Sequence, residues 1–179
     1  RIELEQALAA SINLVIHAPY QVDALEQTLA AMPDSRHAAL PPLQVWLKLD
    51  TGMHRLGMNL DQFRQAWRRL DAMADVERIV LMSHLARADE LSSDSVNRQL
   101  ARFEAAMAAG PEQPAKPVEV SLAGSGGTLA WPATHFDGRR PGIMLYGGSS
   151  IESENGTERG LRPVMTLRSE MIAVRELTA

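Results

Sequence analysis

The sequence predicts an α/β fold: the C-terminal part of a TIM (β/α)8 barrel plus the first strand of a C-terminal β domain. Three observations lead there. First, short apolar runs alternate with helical periodicities along the chain, the pattern of parallel βαβ units. Second, each strand has one apolar and one mixed face. Val45, Leu47 and Leu49 oppose Trp46, Lys48 and Asp50; Val118, Val120 and Leu122 oppose Glu119, Ser121 and Ala123. A flat sheet covered by helices on both sides would want two apolar faces, whereas a barrel with polar groups inside produces this asymmetry. Third, only five such units occur, too few for eight strands, and the alternation at 163–177 then breaks the rhythm. Residues 1–150 are therefore assigned to a partial barrel, and 151–179 to a linker and the start of the β domain.

The elements follow in order. Residues 13–17 read as a strand, and 21–32 as a helix with Val22, Leu25, Leu29 and Met32 on one stripe. Residues 45–50 form the next strand. Residues 60–74 form the next helix, with Phe63, Trp67 and Leu70 facing inward. A third strand covers 78–84. Val96, Leu100, Phe103 and Met107 mark a helix that Gly110-Pro111 stops. Residues 118–123 are a fourth strand, followed at once by Gly124-Ser125-Gly126-Gly127 and a short helix; residues 142–146 are a fifth strand. Asp89 and Glu90 are expected to open a helix.

Composition narrows the function classes. The 179 residues are 45% hydrophobic, enough for one sizeable core. The net charge of −4, with no long basic run, argues against a nucleic-acid surface. The absence of cysteine excludes disulfides and thiolate metal sites and fits a reducing cytoplasm. No apolar run approaches membrane-spanning length. The five histidines show no metal-site spacing. The chain opens at Arg1 without a methionine, which reads as a piece of a longer protein.

Several residues stand where chemistry is built. Lys48 lies mid-strand on the mixed face, where an unpaired ammonium is costly, so a partner or a modification is required. The Asp50-Thr51-Gly52 turn leads from it to Arg55. Ser125 among glycines at a helix start offers a hydroxyl and free N–H groups to an anion, or is an ordinary N-cap. Gly142 lets backbone approach a ligand. If 118–123 and 142–146 are the last two barrel strands, Ser125, Gly142 and Ile143 fall where barrels place a phosphate. His84 is equally a satisfied core histidine or a ligand contact, and Arg55 and Arg140 are equally surface arginines.

Four motifs in order resemble the alanine racemase family. They are Lys48-Leu49-Asp50-Thr51-Gly52-Met53-His54-Arg55-Leu56-Gly57, Met82-Ser83-His84-Leu85-Ala86-Arg87-Ala88-Asp89, Ala123-Gly124-Ser125-Gly126-Gly127, and His135-Phe136-Asp137 with Arg140-Pro141-Gly142-Ile143-Met144-Leu145-Tyr146-Gly147. The resemblance implies a cytoplasmic, homodimeric bacterial isomerase that uses pyridoxal 5'-phosphate. Such an enzyme interconverts L-alanine and D-alanine for peptidoglycan synthesis through a Schiff base and two-base proton transfer. It implies that Arg140 donates to the cofactor's pyridine nitrogen and that His84 holds Arg140. Ser125, Gly142 and Ile143 would bind the phosphate. Arg55 would bind the substrate carboxylate, oriented by a carbamate on Lys48.

The chain departs from the family pattern in three places. The lysine that forms the Schiff base and the opposing tyrosine base have no matching motif in these residues, so both catalytic bases are expected outside them. Gly124 stands where many relatives have asparagine. The alternatives are a related barrel racemase or decarboxylase acting on another amino acid, or a non-catalytic pyridoxal phosphate carrier. The strand-like 163–177 segment counts against the carrier.

Overall fold

The computed structural model describes residues 2–176. Helix α1 (Ile2–Ala9) leads into β1 (Leu14–Ile16), α2 (Pro19–Ala30), the single turn α3 (Asp34–His37) and β2 (Leu43–Lys48). Then come α4 (Leu60–Ala72), β3 (Val76–Met82), α5 (Ser95–Ala108), β4 (Val118–Ser121) and α6 (Ser125–Ala130). The four strands form one parallel sheet in the order β1-β2-β3-β4. Parallel neighbours joined by helices are what the strand–helix alternation demands.

Side-chain alternation decides which face the helices cover. Leu14 and Ile16 of β1, Val45 and Leu47 of β2, and Ile79 and Leu81 of β3 pack with Val22, Leu25, Phe63, Leu70, Val96 and Phe103 in one core. Phe63 and Trp67 meet edge to face within it, with ring centroids 6.0 Å apart. Trp67 also packs against Gly110, where a Cβ would stand 2.1 Å from its Cζ3. Gly110, two residues past the end of α5, must therefore be glycine for the chain to pass this close. Asn59 caps α4 by accepting from the Gln62 amide at 3.0 Å, and Gln62 reaches back to the Asn59 N–H.

The opposite face carries the other residue set, in cross-strand register: Trp46 beside Val80 and Val80 beside Glu119, Lys48 beside Met82 and Met82 beside Ser121. Arg78 and Glu119 form an ion pair across β3 and β4. The one-apolar, one-mixed expectation is thus met strand by strand.

Four sequence expectations change. Residues 142–146 are not a strand: Ile143–Tyr146 is one turn of 3-10 helix, with Ile143, Leu145 and Tyr146 exposed. The neighbour of β4 is instead the segment 137–140. Gly138 N donates to Val120 O at 3.1 Å and Arg140 N to Ala123 O at 2.8 Å. Pro141, which has no N–H to give, follows at once. Residues 161–176 carry no strand and are largely exposed; the final residue of the expected 163–177 strand, 177, lies outside the described residues. Asp89 and Glu90 sit in a turn, with Glu90 paired to Arg87, and the helix begins only at Ser95. Helices α1 and α3 were not foreseen. No helix among the described residues is long and apolar enough to cross a membrane.

Candidate functional site

The C-terminal ends of β2, β3 and β4, with the 137–142 segment, deliver polar groups to one rim of the sheet. The β2 loop is the most constrained. Asp50 N donates to Met58 O at 2.9 Å and Met58 N to Lys48 O at 3.0 Å, folding the loop back on its own strand. Gly57 makes this return possible. Its φ is +134°, and a Cβ there would stand 2.6 Å from Asp50 N and 2.8 Å from Leu49 C. The Asp50 carboxylate accepts from Gly52 N and His54 N at 3.0 Å each, and from His54 Nδ1 at 2.9 Å. Burial alone would raise the Asp50 pKa, but the His54 and Gly52 amides and the His54 ring outweigh it and hold the carboxyl below its ordinary value. Asp50 is therefore spent on its own loop, and Arg55 is carried exposed beyond it.

Lys48 is half-buried on the open face. Burial, then the charges of Arg55 and of Arg140, push its ammonium pKa down, against a smaller opposing pull from Asp50. His84, at the end of β3, is lowered by burial first and then by Arg140, Arg55 and Lys48. Arg55 and Arg140 thus act on both Lys48 and His84, and the rim carries a surplus of positive charge.

Arg140 is fixed rather than free. Its Nη1 donates to Ser121 O at 2.7 Å and Ser121 Oγ at 2.6 Å; its Nη2 donates to Ser83 O at 2.6 Å and, more distantly, to Leu122 O at 3.4 Å. Burial lowers its pKa. The Ser121 hydroxyl in turn donates to Gly138 O at 2.7 Å, tying β4 to the segment that carries Arg140. His84 Cε1 lies beside Gly124, where a Cβ would make ordinary contact at 3.5 Å. An asparagine there would therefore reach the histidine, and glycine leaves that contact empty.

Ser125 and Gly142 meet. Gly142 N donates to Ser125 Oγ at 2.8 Å and Met144 N reaches the same oxygen at 3.4 Å. Both belong to a cavity of about 370 Å³ whose wall also includes His84, Arg140, Gly127 and Asp89. Ser150 Oγ, in the same wall, is buried without a partner among the described residues. A Cβ on Gly142 would project toward Ser125 Oγ, 4.0 Å away. The cavity therefore brings together His84, Ser125, Arg140 and Gly142. Ile143 adjoins it through the chain, with its side chain 54% exposed. Lys48 and Arg55 lie outside the wall, on the neighbouring β2 side.

Sequence reading missed a buried polar network behind these loops. Gln99 of α5 is 2% exposed, although it sits in a helix expected to present only apolar residues inward. Its Nε2 donates to Thr51 Oγ1 at 2.9 Å and His84 O at 3.0 Å, and its Oε1 accepts from Ala86 N at 2.8 Å. Thr51 Oγ1 also shares a 2.8 Å hydrogen bond with Ser83 Oγ. The available signal was positional: Gln99 stands three residues after Val96 and four before Phe103, on the inward stripe.

Known proteins share this arrangement. The model of the family "Alanine racemase, N-terminal domain" matches residues 1–150. The alanine racemase of Pseudomonas fluorescens is 45% identical over 165 residues, 92% of this chain and 42% of that protein. Among solved structures, the biosynthetic alanine racemase of Pseudomonas aeruginosa superposes with a TM-score of 0.76 at 37% identity, over 90% of this chain and 41% of that one. The alanine racemase from Bartonella henselae, solved with covalently bound pyridoxal phosphate, gives a TM-score of 0.68 at 25% identity, over 83% and 40% of the two chains. The chain thus spans less than half the length of these relatives. With four ordered motifs on one sheet rim and a family match across five-sixths of its length, the chain belongs to the alanine racemase N-terminal domain family.

Proposed function

We propose that this chain is a segment of a cytoplasmic, homodimeric alanine racemase that interconverts L- and D-alanine with pyridoxal 5'-phosphate. Residues 1–150 form the C-terminal part of its TIM barrel, and 151–179 lead into a C-terminal β domain. The observation that carries this reading is the convergence of Ser125, Gly142, Arg140 and His84 on one cavity in a positively charged rim. The residues fit a phosphorylated pyridine. A glycine stands where a Cβ would enter the cavity, an unpartnered hydroxyl lines it, and the surplus of cations favours an anion.

Each residue has a role derived from its bonds. Ser125 Oγ already accepts two amides, so its own proton is free to be donated to a phosphate oxygen. The Gly142 and Ile143 backbone lies beside it. Arg140 has both terminal nitrogens engaged by carbonyls and a hydroxyl, which leaves the Nε–H to donate to a ring nitrogen. A guanidinium donates there without surrendering a proton, which limits the electron withdrawal that the cofactor supplies at the substrate Cα. His84 is half-buried, and burial first, then repulsion from Arg140, Arg55 and Lys48, disfavours its charged form, so it adds no further cation beside Arg140.

Arg55 binds the substrate carboxylate. Lys48, whose ammonium is disfavoured by burial and by two arginines, is the amine that reacts with carbon dioxide. The neutral amine forms an N–C bond and releases one proton. The resulting carbamate anion then faces Arg55 instead of repelling it. The two bases that remove and return the Cα proton lie outside these residues.

The test uses the full-length protein that carries this chain, loaded with pyridoxal phosphate and given L-alanine, with D-alanine followed by chiral separation. Racemisation is expected, and the isolated 179-residue chain is expected to give no D-alanine above free cofactor. A full-length protein that binds the cofactor and produces no D-alanine would instead be a carrier or an enzyme for another amino acid.

A further inference from the structure

We infer that Gln99 and Thr51 form a positioning pair that sets the substrate-binding arginine loop against the cofactor-side loop. This inference rests on the racemase reading above. The two loops leave the sheet separately: 49–58 from β2 and 83–90 from β3. Adjacent strands fix their roots but not their tips, because the last ladder bond between them is Leu49 N to Met82 O at 2.9 Å. Beyond it, Thr51 Oγ1 meets Ser83 Oγ at 2.8 Å, and α5 supplies the further coupling. One buried amide engages Thr51 Oγ1 on the first loop and both His84 O and Ala86 N on the second.

The pair has the properties of a tether. Thr51 is 1% exposed and Gln99 2% exposed, so neither bond competes with water. The primary amide uses both of its N–H donors and its carbonyl at three different chain positions, a set no apolar residue supplies. Arg102, one turn further along α5, donates to Thr51 O at 3.0 Å and orients the same residue from a second side. The tether also transmits. Asp50 holds Gly52 and His54 in a compact turn around Thr51, and Arg55 is the next residue. Moving Thr51 moves Arg55 with it. By contrast, Arg140 and Ser125 are held by Ser83, Ser121 and Gly142 through bonds that do not pass through Gln99.

The consequence is selective. Loss of the tether weakens substrate capture by Arg55 and leaves cofactor binding in place. Gln99→Met keeps the side-chain length and removes all three bonds. Thr51→Val keeps the side-chain shape and removes the other end of the tether, together with the Thr51–Ser83 hydrogen bond, which covers the case in which Gln99→Met fails to fold. In the full-length protein, both variants are expected to raise KM for L-alanine about tenfold or more, with a much smaller change in kcat and an unchanged affinity for pyridoxal phosphate. Thr51→Ser, which retains the hydroxyl, restores the wild-type KM. The double variant exceeds Gln99→Met by no more than the loss of the Thr51–Ser83 hydrogen bond, because the Gln99–Thr51 contact is already gone. Arg98→Ala, on the exposed side of α5, leaves KM unchanged.

In the cofactor-free protein, hydrogen exchange across 50–57 and 83–88 accelerates together in Gln99→Met, while 137–142 keeps its protection. A packing role alone would lower the melting temperature and the yield of active enzyme without raising KM. KM within twofold of wild type in both Gln99→Met and Thr51→Val, in an enzyme that racemises alanine, overturns the inference alone. A wild-type protein that does not racemise alanine overturns the functional reading and the inference with it.

Discussion

Replacing Gly57 with alanine tests how the β2 loop is held. Exchanging glycine for alanine at a compatible position usually stabilises a protein by roughly 0.4–1 kcal/mol, through the unfolded chain. Gly57 is not compatible. Its φ of +134° costs an L-residue about 1–3 kcal/mol. The added Cβ would also meet backbone atoms of Leu49 and Asp50 at 2.8 and 2.6 Å, which no rotamer change can relieve. The loop must therefore move, and the Asp50 N to Met58 O and Met58 N to Lys48 O bonds are lost with it. At about 1 kcal/mol each, these bring the total to roughly 3–5 kcal/mol. Urea unfolding followed by tryptophan fluorescence, to which the buried Trp67 contributes with Trp46 and Trp131, reads this directly. With a slope of about 2 kcal/mol per molar urea, the midpoint falls by roughly 1.5–2.5 M. Gly160→Ala is the reference, since Gly160 has φ +73° with nothing within 4 Å of an added Cβ. It bears only the conformational term, about 1–2 kcal/mol. A Gly57→Ala midpoint equal to or above that of Gly160→Ala would refute the close-approach argument.

The other predictions concern the site. Ser125→Ala deprives the Gly142 and Met144 amides of their acceptor and the phosphate of a donor, so the dissociation constant for pyridoxal phosphate, measured by absorbance titration of the full-length protein, rises about tenfold. His84 has a folded pKa pulled below its ordinary 6.5 by burial and by three cations, so the unfolded chain takes up a proton that the folded chain resists. Stability therefore rises with pH from that depressed value up to 6.5 and levels off above it; in melting curves between about pH 5 and 7.5, His84→Gln should flatten the slope. Carbon-13-labelled bicarbonate should give a carbamate resonance in the full-length enzyme that Lys48→Arg abolishes; a resonance that persists in Lys48→Arg would place the modification elsewhere.

Much of the fold was written in the period of the chain. Alternation at 45–48 and 118–121 assigns one face to the core and leaves Lys48 and Ser121 on the other, because successive strand side chains must point to opposite faces whatever the surroundings. The helical stripes Phe63-Trp67-Leu70 and Val96-Phe103 follow from the same local geometry. The four motifs place the chain in its family because side-chain identity in a fixed order is itself sequence information.

Three features depended on tertiary contacts. Ile143–Tyr146 has strand-like residues but folds as a helical turn, because segment 137–140 already occupies the free edge of β4 and Pro141 ends the pairing. Arg140 could equally have been a surface arginine, and it is the Ser83 carbonyl just past β3 and the carbonyl and hydroxyl of Ser121 at the end of β4 that make it a fixed donor. Gln99 reads as an ordinary helical residue until α5 is laid against the sheet. Its three partners lie 13 to 48 positions away in sequence, at a separation no local period can report.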